Sequence, residues 1–524
     1  MRKTIDRRRL GIARPPRARA AALGALVCVI GSAQAQNIRF EPVLNAAATA
    51  TDNARFVADE EARKDLILAL APRLNFSFNG SRLKTSGAVG VDAVHYTRHS
   101  ESDRVSPYVR GALNAELVDR WLSLDASANV ASIQADAFAS STGEASNYNR
   151  RLAAVYRLSP ALDHEFTPRV SVHARSDNTL TRLSSEDSSG VGSLSSSRYR
   201  TQRNSVIGTL KPEPLGGSVE LSSERSAFVG DAAQELAIDA ARAVASYAVN
   251  DDLSVSAVAG RERSRLLSVE QSDNIVGARL HWTPSPRTDL RVAAEHRFFG
   301  TGLDLGFTHR TPFLATSITF QRSPRFVPVT LGTAAVGADL ATFLDSILTT
   351  RYPDPAARGK VVQDLIVSRG LPTSAAVPVS IVAQYPQLDE TATLTVVMLL
   401  PRDTVTVSVY AQTLRKLSRN NDPLEAASGL DSDARQRGFL LGYNRRLSPV
   451  LSIDFALNHS ITDGLAARQG DESTSSLFRV SMVQTLNARA AVTAGIARRQ
   501  LTTNVSGKSS ATEHSAFAGI SYSF

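Results

Sequence analysis

Apolar and polar residues alternate along segments of about ten residues, and this pattern constrains the fold more than any other feature. In 66–78 the leucines and phenylalanines occupy even positions, interrupted only by Pro72, whereas Arg73 and other polar residues occupy odd positions. The same alternation recurs in 108–117 and 451–458. Such segments are typical of strands that face lipid on one side and a polar lumen on the other.

The connections between these segments alternate in length, with short turns followed by longer polar loops. This order is expected of a membrane barrel, which has short periplasmic turns and longer outer loops. The predicted short turns lie at 79–80, 118–119, 159–160, 212–215, 250–251, 284–286, 311–312, 401–403, 448–449 and 486–487. Counting the hairpins predicts an all-β, antiparallel up-and-down outer-membrane β-barrel of about 22 strands, within a range of roughly 20–24.

The first 35 residues predict a cleaved signal peptide. A basic stretch up to Arg19 precedes an apolar run, 20–30, that is too short to cross a bilayer as a helix. The sequence Ala33-Gln34-Ala35 then supplies a small-x-small cleavage site. We therefore assign 1–35 to the signal peptide and 36–524 to the barrel, destined for the bacterial outer membrane.

Charge and cysteine content argue against two other classes of protein. Residues 1–35 carry eight Lys or Arg and one Asp, so they hold most of the formal net charge of +9. The remaining chain is close to neutral, and nucleic-acid binding is not expected. The only cysteine, Cys28, lies in the same leader, so no disulfide framework is expected.

One segment departs from the strand pattern. Within 325–390 the apolar residues of 340–348 and 361–366 follow helical spacing, and Pro353-Asp354-Pro355 separates the two stretches. We expect a partly helical insertion that starts on the outer side of the barrel. It would either fold into the lumen as a constriction or cover the mouth as an extracellular lid.

No motif in the sequence predicts catalysis or a bound cofactor. The nine histidines are scattered, and neither H-E-x-x-H nor G-x-S-x-G occurs. We therefore expect no enzyme activity, no cofactor and no metal site.

Charged residues on the polar face of the predicted strands are the candidate functional residues. Rings of like charge on a pore wall select solutes by sign, whereas opposite charges that pair across strands only solvate the lumen. The pattern leaves both interpretations open. The candidate lumen-lining residues are Arg73, Arg110, Glu116, Arg291, Glu295, Arg297 and Arg310, of which the last four form the densest group.

Aromatic residues near the predicted strand ends favour a membrane location, because such residues form girdles at both interfaces. The expected girdle residues are Tyr96, Trp121, Trp282, Phe298, Phe299, Tyr443 and Tyr522. The terminal Phe524 is a candidate assembly signal for the barrel-assembly machinery. Outer-membrane lipid and lipopolysaccharide are the other expected partners.

Residues 282–310 also carry a family resemblance. The sequence from Trp282 to Thr288, then His296-Arg297-Phe298-Phe299-Gly300, then His309-Arg310-Thr311, resembles the PEP-CTERM/exosortase system-associated outer membrane β-barrel family. The stretches 51–53, 352–355 with Arg358, and 438–449 resemble it more loosely. The resemblance implies an association with exopolysaccharide production and export, possible partners among polysaccharide export proteins, and no catalytic residues.

Three functions follow from these observations. The first is a conduit or accessory component of exopolysaccharide export, the second is a solute-uptake porin, and the third is a structural or assembly protein of the surface protein sorting system. A transporter with a plug domain is not expected, because the first strand pattern begins within a few residues of Gln36.

Overall fold

In the computed structural model, 22 strands form one closed antiparallel sheet. The described residues are 37–134, 150–185, 197–228, 231–266, 269–325, 329–331, 379–381, 386–417 and 433–524. No helix in this part of the chain is long and apolar enough to cross a membrane. The predicted signal peptide, 1–35, lies outside the described residues.

The strands follow one another around the barrel in chain order. Two short strands, β16 (Val329–Leu331) and β17 (Val379–Ile381), pair only with each other. The barrel strands are β1 (Asn37–Thr51), β2 (Asp65–Asn79), β3 (Leu83–Tyr96), β4 (Arg104–Val118), β5 (Leu122–Gln134), β6 (Arg150–Thr167), β7 (Val170–Ser185), β8 (Ser197–Leu210), β9 (Leu215–Phe228), β10 (Asp231–Ala248), β11 (Leu253–Leu266), β12 (Val269–Ser285), β13 (Thr288–Arg297), β14 (Gly300–Arg310), β15 (Leu314–Arg325), β18 (Gln387–Leu399), β19 (Asp403–Lys416), β20 (Ala434–Ser448), β21 (Leu451–Gly464), β22 (Glu472–Asn487), β23 (Ala490–Thr503) and β24 (Ala511–Ser523). The predicted count of 22 is confirmed.

The seam between β1 and β24 closes the sheet. These strands pair antiparallel from Val43 opposite Ser523 to Thr51 opposite Ser515. The backbone N–H of Phe524 continues the seam by donating to the carbonyl of Pro42 at 3.0 Å. Since β1 also pairs with β2, the barrel has no free edge, and its backbone groups can be satisfied within lipid.

The two ends of the barrel differ in their connections. At the end that holds Asn37 and Phe524, every connection has two to four residues, as periplasmic turns do. At the opposite, outer end most connections are longer, but β9–β10, β11–β12 and β13–β14 are joined by only two residues. Longer polar loops are predicted at this end, but 226–228, 231–234, 264–266 and 269–273 belong to strands.

Strand parity separates a lipid face from a lumen face. Leu66, Leu68 and Leu70 of β2 are 41%, 42% and 46% exposed and point outward, in register with Ala50, Ala48 and Ala46 of β1. Arg73 has the opposite parity and forms an ion pair with Asp92 of β3 at 3.1 Å. An exposed apolar band around a closed barrel requires hydrocarbon as its solvent, so the chain lies in the bacterial outer membrane.

Proline accounts for one wrong turn prediction. Ser159 and Pro160 lie inside β6, and the turn is formed by 168–169. Pro160 has no N–H and cannot donate to a neighbouring strand. Accordingly Pro160 pairs with Leu124 of β5, while the β6–β7 pairs stop at Leu158 and resume at Ala161. Pro72 interrupts the β2–β3 ladder in the same way.

The aromatic residues fit the predicted girdles only in part. Trp121 and Trp282 are 47% and 41% exposed near the periplasmic ends of their strands, and Trp121 stacks on His164 at a centroid distance of 3.8 Å. Tyr96 is fully buried on the inner face, in a cluster with Ile67 and other apolar residues. The girdle assignment of Tyr96 is therefore wrong, because its parity directs the ring away from lipid.

The predicted insertion, 325–390, is described only at its margins. Arg325 ends β15, the β16–β17 hairpin follows within the segment, and β18 begins at Gln387. All of these described pieces are strands. The expected helices at 340–348 and 361–366 lie outside the described residues, so the partly helical insertion is not shown.

Two carboxylates stabilise the connection between β3 and β4 at the outer end by accepting hydrogen bonds. Asp65 accepts hydrogen bonds from the backbone N–H groups of Arg98 and Ser100 at 2.9 and 3.2 Å. Asp103 lies 2.7 Å from His95 Nδ1 and accepts a backbone N–H from Tyr96 at 3.0 Å. These hydrogen bonds lower the pKa of Asp103, and the hydrogen bond with His95 has the largest effect.

The lipid and lumen faces can be distinguished by one substitution placed on each side of β23. Ile496 is outward and 58% exposed, whereas Thr493 has the opposite parity. We expect Ile496→Lys to lower the free energy of unfolding by about 2–4 kcal/mol, the cost of a lysine near the bilayer midplane. Thr493→Lys adds the same charge to the lumen face and should cost about 1 kcal/mol or less. Urea unfolding in phospholipid vesicles measures both, and equal losses would contradict the assignment of faces.

Candidate functional site: the polar inner wall

The inner face of the barrel contains two polar sectors of different chemistry. The charged sector comprises Glu220, Arg242, Glu262, Arg279, Glu295 and Arg297 on β9 to β13. The hydroxyl–amide sector comprises Thr391, Thr393, Thr395, Ser408, Gln412, Gln436, Asn458 and Ser460 on β18 to β21. Both follow from the inward parity of polar residues along the strands.

Arg279 is the centre of the charged sector. Its Nη1 and Nη2 atoms bind the two carboxylate oxygens of Glu220 at 2.5 and 2.9 Å, and Nη2 also lies 2.9 Å from Glu295 Oε1. The other oxygen of Glu295 accepts from Arg242 Nε at 3.0 Å. Two arginines and two glutamates are therefore joined in one chain of charge-assisted hydrogen bonds.

The network lies flat on the wall. Arg279 on β12 reaches Glu220 on β9 across β10 and β11, whose inward residues between them include Val244 and Val258. The side chains of Arg242, Glu295 and Glu220 are only 10%, 13% and 16% exposed, so the charged groups lie against the strands rather than projecting into the lumen.

Glu262 anchors the outer end of the charged sector. Its side chain is fully buried, and Oε2 accepts from Arg297 Nε and Nη2 at 2.9 and 2.6 Å. Oε1 accepts the backbone N–H of Phe298 at 2.7 Å. Because Phe298 lies in the two-residue connection between β13 and β14, this carboxylate also fixes the tight hairpin.

The group of four charges expected from the sequence is not brought together. Glu295 belongs to the Arg279 network, and Arg297 pairs with Glu262. Arg291 lies lower on β13, pairs with Asp289 at 3.0 Å and is 69% exposed. Arg310 Nη2 donates to the carbonyl of Pro286 at 2.8 Å, in a periplasmic turn. The inward parity of the four is correct, but each has a different partner.

The remaining candidate residues lie on the same inner face of earlier strands. Arg73 pairs with Asp92, and its guanidinium lies 4.2 Å from the ring centroid of Tyr108. Arg110 is inward on β4, in register with Ala88. Glu116, near the periplasmic end of β4, accepts the backbone N–H of Arg120 at 2.8 Å. A role for these residues in solute selection stays a prediction.

Sequence reasoning missed Glu220, Arg242, Glu262 and Arg279. Glu220, Arg242 and Arg279 lie at inward positions between outward residues that are apolar or small, such as Val219 and Ala241, so parity could have identified them. Glu262 lies between outward Arg261 and Arg263, so the alternation of polar and apolar residues does not distinguish it. Their partners could not have been read in this way, since Arg279 and Glu220 are 59 residues apart in the chain.

The hydroxyl–amide sector is uncharged and closely packed. Gln412 Nε2 donates to Asp389 Oδ1 at 2.9 Å, and Gln436 Nε2 donates to Thr462 Oγ1 at 3.2 Å. The carbonyl oxygens of both glutamines, and that of Asn458, accept no hydrogen bond from the described residues. Buried acceptors of this kind carry an energetic cost until a partner donates to them.

The described residues contain no group of three or more His, Cys, Asp or Glu that could hold a metal ion. The arrangement of the inner wall is suited to hydrogen bonding with a solute.

No protein-family model and no curated protein match this chain. Solved structures do align with it along 92–93% of its length. The FrpB iron transporter from Neisseria meningitidis aligns with a TM-score of 0.49 at 9% identity, with 92% of this chain and 82% of that chain covered. The siderophore receptor PirA from Acinetobacter baumannii gives 0.46 at 8%, covering 93% and 80%. The ferric enterobactin receptor PfeA from Pseudomonas aeruginosa gives 0.46 at 10%, covering 92% and 81%.

These names correct the main functional expectation. The solved structures that align with this chain are named as receptors and a transporter for siderophores and iron, and none of these names refers to exopolysaccharide export. The expectation of an export conduit or accessory is wrong. At identities of 8–10% the likeness shows the fold alone, so no site residue and no ligand is transferred from these proteins.

The charge balance of the Arg279 network can be tested directly. We expect Arg279→Gln to leave Glu220 and Glu295 with only Arg242 as a cationic partner, lowering the free energy of unfolding by about 1–3 kcal/mol. Adding Glu220→Gln should restore part of that loss, since the unpaired carboxylate is removed. Denaturant unfolding measures both effects.

Arg291→Gln provides the matched control for that experiment. Arg291 is on the same face but far more exposed, so its ion pair with Asp289 contributes little, about 0–1 kcal/mol. Equal losses for Arg279→Gln and Arg291→Gln would show that the network has no special role in stability.

Proposed function

We propose that this barrel takes up a polar, hydrogen-bonding solute across the outer membrane. The observation that carries the proposal is the polar inner wall of a 22-stranded barrel, on which hydrogen-bonding side chains such as Arg73 and Arg279 stay partly exposed. A barrel of this size is wide enough to enclose a solute as well as side chains. Polar groups on a solute would form hydrogen bonds with such side chains.

The balanced charges support a solute without a large net charge. Arg242 and Arg279 are compensated by Glu220 and Glu295 within the same network. An inner wall of one sign would create a field that selects ions, whereas paired charges create little field at a distance. We therefore infer that selection depends on hydrogen bonds and size, and that net charge contributes less.

The purified full-length mature chain in sealed proteoliposomes tests this function. We expect a neutral tetrasaccharide, rich in hydroxyl donors, to enter faster than an apolar neutral solute of similar size. Sulfated and aminated forms of the same sugar should enter at rates within a few-fold of the neutral one. No entry of any probe would favour the alternative, a structural or assembly protein without transport.

A further inference from the structure

The outward face of β7 to β12 changes character towards the outer end of the barrel. Lower on these strands the outward residues are apolar or small, including Val206, Val219, Leu221 and Val276. Higher on β7, β8, β9 and β11 the outward residues include seven arginines. We define the outer basic patch as Arg182, Arg198, Arg200, Arg225, Arg261, Arg263 and Arg265.

Strand register fixes the side of the sheet on which these arginines lie. Arg225 is in register with Ala237 of β10, which is in register with Arg265 of β11. Residues in register share a face, so Arg225 and Arg265 flank β10 on the outside at roughly 10 Å, two strand spacings. Arg261 and Arg263 precede Arg265 at alternate positions and share that face.

Acidic residues compensate the patch only in part. Glu270 forms ion pairs with Arg263 and, at 3.4 Å, with Arg265, so one carboxylate serves two guanidinium groups. Glu235 and Asp239 are the other described acidic residues on this face. Seven arginines against three carboxylates leave an excess of positive charge.

Several arginines have no counter-ion among the described residues. Arg182 lies directly opposite Arg198, and Arg200 is the next outward residue on β8. Neither these three nor Arg225 and Arg261 form an ion pair within the described part of the chain. Like charges opposite each other destabilise a sheet, so an anion outside the protein would stabilise this arrangement.

A groove marks where such an anion would bind. It has a volume of about 540 Å³ and runs over the outward face of β8 to β12. Arg261, Arg263 and Asp239 line its polar part, and Val206 and Leu221 line its apolar part. A ligand that fits both parts has an anionic headgroup joined to acyl chains.

We propose that the outer basic patch binds the phosphate groups of lipopolysaccharide in the outer leaflet. The patch lies at the end of the barrel that carries the long connections and directly above the lipid-facing band, at the level of a lipid headgroup. Arginine suits this role, because its planar guanidinium binds phosphate through two parallel hydrogen bonds. The acyl chains continue along the apolar part of the groove and the band below it.

The test is binding of a diphosphorylated lipid A to the full-length mature barrel in a non-ionic detergent, measured by native mass spectrometry. We expect the triple variant Arg200→Gln, Arg225→Gln and Arg261→Gln to bind it more weakly, by roughly five-fold for each arginine removed. The same lipid without its phosphates should bind wild type and variant equally. Inorganic phosphate alone should not compete at millimolar concentration, because the site also requires the acyl chains.

Two further variants keep the proposal falsifiable. Arg287→Gln, Arg402→Gln and Arg489→Gln together remove the same charge from periplasmic turns and should leave lipid binding unchanged. The triple variant Arg200→Lys, Arg225→Lys and Arg261→Lys retains the charge but loses the paired donors of the guanidinium, so it should bind more tightly than the glutamine variant and more weakly than wild type. Equal affinity of wild type and the first triple variant would overturn the proposal, and so would equal loss in the periplasmic control.

Discussion

Closure of the sheet is the constraint on which the rest of this structure depends. Hydrocarbon offers no hydrogen-bond partner, so each backbone N–H and C=O within the membrane must find its partner in a neighbouring strand. The seam between β1 and β24 meets this requirement for the two strands that would otherwise be edges. Once the sheet is closed, strand parity alone divides every side chain between lipid and lumen. The inner-wall networks and the outer basic patch are both consequences of that division.

Much of the architecture could be predicted from the sequence because parity is a local property. The outward orientation of Leu66, Leu68 and Leu70 could be predicted without knowing any distant residue. The same is true of the inward orientation of Arg73 and Glu116. The predictions from single residues were wrong where the same residue type occurs in two structural settings. Pro160 was interpreted as part of a turn. Proline is also tolerated within a strand where the pairing with one neighbouring strand lacks a hydrogen bond, as between β6 and β7. Tyr96 was assigned to the girdle because it is aromatic and lies near a strand end, whereas its position in the alternation directs the side chain inward.

The candidate site was less predictable, because its contacts depend on register between strands that are far apart in the chain. Arg279 reaches Glu220 across the two intervening strands, β10 and β11. Nothing local to Arg279 or Glu220 indicates that arrangement. The function was also harder to predict than the fold. A family resemblance carried by 282–310 suggested export, whereas the uptake of a polar solute that we propose is argued from the balanced charges of the inner wall.

The seam also has a consequence for the order in which the barrel can form. Thr51 Oγ1 donates to Glu513 Oε1 at 2.8 Å across a separation of 462 residues. The other neighbouring strands of the barrel are consecutive in the chain and can form hairpins as it emerges, apart from β15 and β18, which are separated by β16 and β17. The seam cannot form until β24 has been synthesised. Until then the backbone N–H and C=O groups on one edge of β1 remain unpaired. A protein holding that strand during the interval would prevent it from pairing with a second chain.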